Sequence, residues 1–104
     1  LPANIGDCTK LTVLTLANNQ LTELPSSLWT LTNLNALNLS GNDLTELSTD
    51  VLNLVNLSPY GLSLKGNHLW CENGDVNGTL VPDDLQSFCN AIFGCGLLDQ
   101  DCSE

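Results

Sequence analysis

The sequence repeats with a period of 23 residues, and this periodicity restricts the fold more than any other feature. A pattern of leucines and asparagine that begins at Leu11 begins again at Leu34, and a third, incomplete copy begins at Leu57. Registered copies of this kind indicate stacked, similar units. The matched positions are Leu11, Leu14, Leu16, Asn19, Leu21, Leu24, Leu28 and Leu31, followed by Leu34, Leu37, Leu39, Asn42, Leu44, Leu47, Val51 and Leu54.

Each copy contains a short alternation of leucine with a small polar residue, such as Leu14-Thr15-Leu16. A period of two is typical of a strand with one buried face, so the leucines are expected to face inward and the polar residues outward. Stacked copies place such strands side by side and parallel. The sequence therefore predicts three main strands near residues 13–16, 36–39 and 61–64.

The same register allows us to interpret the asparagine position of the repeat and the position of Cys8. Asn19, Asn42 and Asn67 come where the chain turns away from each strand, and a carboxamide there can both donate to and accept from backbone groups. We interpret these asparagines as structural. Cys8 aligns with Leu31 one repeat later, so Cys8 is predicted to be a buried core thiol.

The pattern Leu-x-x-Leu-x-Leu-x-x-Asn-x-Leu, with Leu24-Pro25 following it, resembles the leucine-rich-repeat family in its 23-residue form. The resemblance implies an α/β solenoid with a short curved parallel sheet, and protein or glycan ligands on its concave face. Residues 1–70 are assigned to the repeats and 71–104 to a cysteine-rich C-terminal cap. Because the chain opens in mid-repeat without a polar first coil, upstream repeats of the same protein are expected to pack against it.

The repeat stops after Leu69, and the composition that follows is typical of a cap. Asn67-His68-Leu69-Trp70-Cys71 resembles the opening of extracellular leucine-rich-repeat C-caps. A later apolar stripe at helical spacing, preceded by Asp83 and Asp84, predicts a helix near residues 83–93 that covers the last repeat. The stripe consists of Leu85, Phe88, Cys89 and Ile92, and the leucines it would cover are Leu62, Leu64 and Leu69.

Four cysteines, Cys71, Cys89, Cys95 and Cys102, are clustered at the end of the chain. This clustering predicts two disulfides and an extracellular, cell-surface or secretory location. Four cysteines allow three pairings that the sequence does not separate. We expect Cys71 with Cys89 and Cys95 with Cys102 as the slightly favoured pairing.

The charge balance excludes two classes of partner. Two basic residues against 12 acidic ones give a formal charge of -10, which opposes binding to nucleic acid and to anionic membrane surfaces. No apolar run reaches the ~20 residues that span a bilayer, so direct membrane insertion is not expected.

Several candidate sites have ordinary alternatives. Residues 73–84 resemble a calcium loop, with candidate ligands Asn73, Asp75, Asn77 and Asp84, but the departures from the loop pattern favour a polar turn and no cofactor or metal. His68 beside Cys71 is a weak zinc or catalytic-base candidate, and no motif supplies a nucleophile, so enzyme activity is not expected. The sequons at Asn56 and Asn77 predict glycosylation, whereas the one at Asn38 is discounted because it lies within the sheet.

The favoured function is macromolecular binding through the outward residues of the sheet, because leucines that face inward are fixed by packing. The alternative is a structural or scaffold component of a cell-surface or multi-subunit assembly, and an inhibitor of a secreted enzyme would share the same face. The predicted ligand-binding residues are Thr12, Val13, Thr15, Asn35, Ala36, Asn38, Ser40, Tyr60, Ser63 and Lys65.

Overall fold

The sheet predicted from the repeats is present and parallel. The computed structural model of the chain describes residues 1–72, 75–76, 80–92, 94–96 and 100–102. Within them, β1 (Val13–Thr15), β2 (Ala36–Asn38) and β3 (Leu62–Ser63) form one sheet in the order β1-β2-β3. The three predicted strands are confirmed, each slightly shorter than expected.

The register of the sheet follows the leucine pattern. Leu14 lies opposite Leu37, and Leu37 lies opposite Leu62. Leu37 and Leu62 are buried, at 1% and 2% exposed. The third repeat has two more residues than the 23-residue period, around Pro59 and Tyr60. They do not shift this register because a tight turn accommodates them before β3, where the Gly61 amide donates to the Ser58 carbonyl at 2.7 Å.

Short 3-10 helices alternate with the strands along the chain and recur with about the same period. These helices span Ile5–Asp7, Ser26–Thr30 and Thr49–Asn53. Neighbouring ones contact each other, and Leu28 and Val51 point from them into the core with no exposed surface. Trp29 is also buried, at 4% exposed, a contribution that the leucine pattern does not predict.

The core is one continuous cluster that runs from the second repeat into the cap. The first repeat is less covered: Leu11, Leu14 and Leu16 are only partly buried. Cys8 is exposed, so the prediction of a buried thiol is wrong. Cys8 aligns with buried Leu31, but among the described residues no repeat packs on the outer side of the first one, so the position is left open to solvent.

The cap begins with an antiparallel pair, β4 (Cys71–Glu72) and β5 (Asp75–Val76), and continues into helix α1 (Asp83–Ala91). The predicted helix is confirmed over these residues, while residue 93 lies outside the described part of the chain. Leu85 and Cys89 of α1 are buried in the same core cluster as the last leucines of the repeats. The helix packs beside the third 3-10 helix, in the place where a further repeat would put its own.

The segment after α1 protects the open edge of the sheet. The Leu64 amide donates to the Cys95 carbonyl at 2.7 Å, just as the Leu39 amide donates to the Ser63 carbonyl at 2.9 Å one repeat earlier. The Tyr60 amide likewise donates to Ile92 at 2.8 Å. Ile92 and Cys95 therefore accept bonds where a fourth strand would, and they satisfy backbone groups that an exposed edge would leave open.

Two disulfides close the cap, and their pairing differs from the favoured one. Cys89 is bonded to Cys95, and Cys71 to Cys102. Gly94, with φ of 94°, turns the chain back at the end of α1 and brings Cys95 next to Cys89. The tail then runs beside the third repeat, where the Asp101 amide donates to the Asn67 carbonyl at 2.7 Å, so that Cys102 meets Cys71.

Carboxamides join the repeats edge to edge. Asn42 Oδ1 accepts from the Leu21 amide at 3.2 Å, and Asn42 Nδ2 donates to the carbonyls of Leu16 and Leu39, each at 3.0 Å. Asn67 repeats the arrangement one repeat later with Leu44, Leu39 and Leu64. Both side chains are buried, at 2% and 0% exposed, so their polar groups are fully paired inside the protein.

A glutamine in the tail continues this asparagine ladder. Gln100 Oε1 accepts from the Leu69 amide at 3.2 Å, and its Nε2 donates to Leu64 and Gly96 carbonyls, each at 2.8 Å. Leu69 and Leu64 stand in the third repeat where Leu44 and Leu39 stand in the second. Gln100 is therefore the last rung of the ladder, although nothing in its sequence position matches the repeat.

We expect Asn67→Ala to lower the free energy of unfolding by about 3 kcal/mol, because it leaves the buried amide of Leu44 and two carbonyls without a partner. Asn19→Ala is the matched control, since Asn19 is exposed and bonds only within its own repeat. The control should cost less than about 1 kcal/mol. Urea unfolding followed by tryptophan fluorescence measures both, and equal losses would contradict the ladder.

Cys8 is expected to react with iodoacetamide in the native, oxidised protein, because its thiol is exposed and forms no disulfide. Intact mass should show one carbamidomethyl group, and Cys8→Ser should show none. Peptide mapping without reduction should recover Cys89 linked to Cys95. Labelling of Cys8 only after denaturation would restore the buried assignment.

Candidate ligand-binding face

The side of the sheet that faces away from the core forms a continuous surface, here called the outer sheet face. We define it by the ten residues that the sequence predicts, all of which are exposed or half-buried. Thr15, Asn38 and Ser63 stand in one row across the three strands, and Val13 and Ala36 form a second row. The full set is Thr12, Val13, Thr15, Asn35, Ala36, Asn38, Ser40, Tyr60, Ser63 and Lys65.

The middle of this face is polar and partly fixed by its own bonds. Asn38 Oδ1 accepts from both the amide and the hydroxyl of Ser40, at 3.0 and 2.7 Å. Asn38 Nδ2 has no partner among the residues that the structure describes. Hydroxyls of Thr15 and Ser63 flank it in the same row. The row thus offers uncharged donors and acceptors.

Tyr60 lies at the amino end of β3 in an unusual backbone conformation. Its φ is 60°, a region that glycine and asparagine adopt far more readily than an aromatic residue. Its side chain is 77% exposed. One indirect signal of this feature is present in the sequence, because the third repeat departs from the 23-residue spacing at Pro59-Tyr60.

Several exposed acidic residues lie outside the outer sheet face. Glu23 and Glu46 are exposed in the segments that follow β1 and β2, and Asp50 is exposed on the third 3-10 helix. The face itself carries no carboxylate, although the chain as a whole has a formal charge of -10. The one charged side chain among the ten residues of the face is that of Lys65.

The glycosylation candidate Asn56 has a structural bond as well. Asn56 Nδ2 donates to the Thr32 carbonyl at 2.7 Å, and Asn33 Nδ2 donates to the Thr9 carbonyl at 2.8 Å one repeat earlier. These two residues form a second set of cross-repeat bonds that the sequence reading missed, although their constant spacing was visible. Asn56 is exposed, and its glycosylation stays a prediction.

The metal candidates are dispersed over different elements or lie outside the described residues. Asn73 and Asn77 belong to the residues that are not described; Asp75 is in β5 and Asp84 is exposed on α1. In the described ranges, no group of three or more histidine, cysteine, aspartate or glutamate side chains is placed to hold a metal ion. Within those ranges there is also no helix with the length and apolarity to cross a membrane.

His68 links the cap tail to the second repeat. Its Nδ1 lies 2.6 Å from the Asp101 carbonyl oxygen and its Nε2 lies 3.2 Å from Asp43 Oδ1. Both neighbours are acceptors, so the imidazole satisfies both only when it carries two protons. The backbone bond to Asp101, and then the bond to Asp43, raise the pKa of His68 above its usual value of 6.5. His68 is thus a positioning contact for the tail.

The raised pKa of His68 predicts a pH-dependent contribution to stability. The protonated form is favoured in the folded state, so the contribution is fully present below pH 6.5 and is lost as the pH rises through the raised pKa. His68→Gln should therefore destabilise the protein more at pH 5.5 than at pH 9 by thermal melting. Asp43→Asn should weaken the same pH dependence. An identical difference in melting temperature at both pH values would contradict the assignment.

Comparison with known proteins identifies the repeats. Residues 9–49 match the family model described as leucine rich repeats (2 copies). Residues 9–49 are therefore leucine-rich repeats of this family. No curated protein shows significant sequence similarity to it. Leucine-rich-repeat domains commonly bind other proteins and generally have no enzyme activity.

Proposed function

We propose that this chain is the C-terminal end of a leucine-rich-repeat solenoid and binds a protein or glycan through its outer sheet face. The observation that carries the proposal is the row of Thr15, Asn38 and Ser63, which stands in register over a buried leucine layer. Polar side chains on a rigid sheet are ordered before a ligand arrives, so binding costs less conformational entropy.

The first repeat supports the proposal of a longer solenoid, because its asparagine lacks the cross-repeat bonds that the later repeats have. Asn19 Nδ2 donates only to Leu16 and Ala17 of its own repeat, whereas Asn42 and Asn67 also bond to the repeat before them. Asn19 Oδ1 accepts no bond from the described residues. A further repeat packed on this side would supply the missing partner and cover Leu11 and Leu14, so upstream repeats of the same protein are part of the proposal.

Two disulfides in a chain of 104 residues support an oxidising environment, and we place the protein outside the cell or at its surface. Glycosylation at Asn56 and Asn77 would be compatible with that location. The proposed binding activity needs no cofactor, and we assign the chain no catalytic role. A scaffold role would use the same fold but would not require the outer sheet face to be free.

The test uses the oxidised 104-residue chain, immobilised and screened against a displayed library of random peptides and a glycan array. The binding variant is Thr15→Glu, Asn38→Asp and Ser63→Glu together. Asn38→Asp keeps the oxygen that Ser40 donates to, so the fold should be retained. Because the three changes add negative charge at the centre of the interface, bound ligands should lose more than about tenfold in affinity.

The matched control adds the same charge elsewhere, with Thr22→Glu, Thr45→Glu and Thr49→Glu at exposed positions outside the face. The control should bind within about twofold of the parent, since exposed charges far from an interface contribute little. Circular dichroism verifies that both variants fold. Ligands that bind the outer-face variant as well as the parent would reject the proposed function.

A further inference from the structure

The outer sheet face is asymmetric from one end of its strands to the other. Val13 and Tyr60, at the amino end, are 63% and 77% exposed and are two of the large apolar side chains least covered among the described residues. Ala36 lies beside Val13 in register. At the opposite end Lys65 is exposed and is the only charged residue of the face. The surface thus runs from apolar through polar to cationic.

The apolar end is held in a fixed and unfavourable conformation. Tyr60 follows Pro59 in a turn closed by the bond from the Gly61 amide to the Ser58 carbonyl at 2.7 Å, and its own amide donates to Ile92 at 2.8 Å. Its φ of 60° disfavours a bulky side chain. Residues held in such conformations are concentrated at ligand contacts, because elsewhere a glycine would be more stable. Tyr60 is therefore a fixed, exposed aromatic side chain that is suited to contact a ligand.

The cationic end consists of the Lys65 side chain, which packs against Gly96. Lys65 makes no ion pair within the described part of the chain. Gly96 packs against the Lys65 side chain so closely that a Cβ at position 96 would overlap Lys65 Cγ. The ammonium of Lys65, one of the two lysines in the sequence, is complementary to a carboxylate of a partner.

The distance between the two ends sets the spacing of the partner's groups. Gly61, which continues the row of Val13 and Ala36, is four residues from Lys65, or about 13 Å of nearly extended chain. In an extended peptide, two side chains four residues apart lie on one face at the same spacing.

We propose that the outer sheet face binds an extended segment of a partner protein that places an aliphatic or aromatic side chain against Tyr60 and Val13 and a carboxylate against Lys65. This inference rests on the proposed function, since it specifies the ligand of the same face. A protein segment fits better than a neutral glycan, because the glycan has no carboxylate for Lys65 and no aliphatic side chain for Val13.

The experiment selects random dodecapeptides displayed on phage against the oxidised chain. Enriched peptides should carry Leu, Ile or Phe four residues from Asp or Glu. Tyr60→Gly and Lys65→Glu should each weaken the enriched peptides more than about tenfold. Tyr60→Gly suits the local backbone, so its melting temperature should not fall, and lost binding would not reflect unfolding. Changing the peptide's acid to lysine should restore binding to Lys65→Glu.

Matched controls are Val55→Ser, at an apolar position that is 74% exposed and outside the face, and Lys10→Glu, which changes the net charge as Lys65→Glu does. Both should bind within about twofold of the parent.

Peptides lost in the outer-face triple variant but retained by Tyr60→Gly and Lys65→Glu would overturn this inference and leave the proposed function intact. Peptides unaffected by all three would overturn both. Failure to enrich any peptide, or binding of a neutral glycan that is unaffected by Lys65→Glu, would overturn the protein assignment.

Discussion

The carboxamide ladder is the interaction on which the rest of the structure depends. Leucines of neighbouring repeats can pack in more than one way, because apolar contact has no direction. The buried amides of Asn42 and Asn67 remove this freedom, since each bonds to backbone groups of its own repeat and of the one before it. A buried polar group that loses its partner is costly, so only one register satisfies every rung. The same register aligns the outer sheet face.

The cap supplies the same kinds of bonds to the third repeat from residues that do not follow the repeat pattern. Gln100 supplies the last rung from a tail that has no repeat pattern, and the carbonyl of Cys95 accepts the bond that a next strand would accept. The disulfide between Cys89 and Cys95 then joins helix α1 to this edge segment, while His68 and the disulfide of Cys71 hold the tail. The cap therefore ends the stack by imitating a repeat, and its covalent links replace the packing that a further repeat would provide.

The residues that stabilise the stacked repeats are different from the residues of the outer sheet face. Substitution of the inward leucines or of the ladder would reduce stability, whereas the outward residues of β1, β2 and β3 are exposed or half-buried. Tyr60 is the exception, because its turn is built into the junction between the last repeat and the cap. The arrangement of the face from Val13 to Lys65 therefore depends partly on the cap, because the Tyr60 amide and the Lys65 side chain both contact cap residues.

The sequence by itself predicted helix α1 from the spacing of apolar residues after Pro82, and the period of the repeats determined the three parallel strands, the inward leucines and the structural asparagines. Periodicity suffices there because each position has the same neighbours in every copy. Only the tertiary structure decided the disulfide pairing, the exposure of Cys8, the rung formed by Gln100, the bonds of His68 and the conformation of Tyr60. These depend on where the tail returns after Gly94 and on which repeat has a neighbour, and contacts between segments distant in sequence have no local signature.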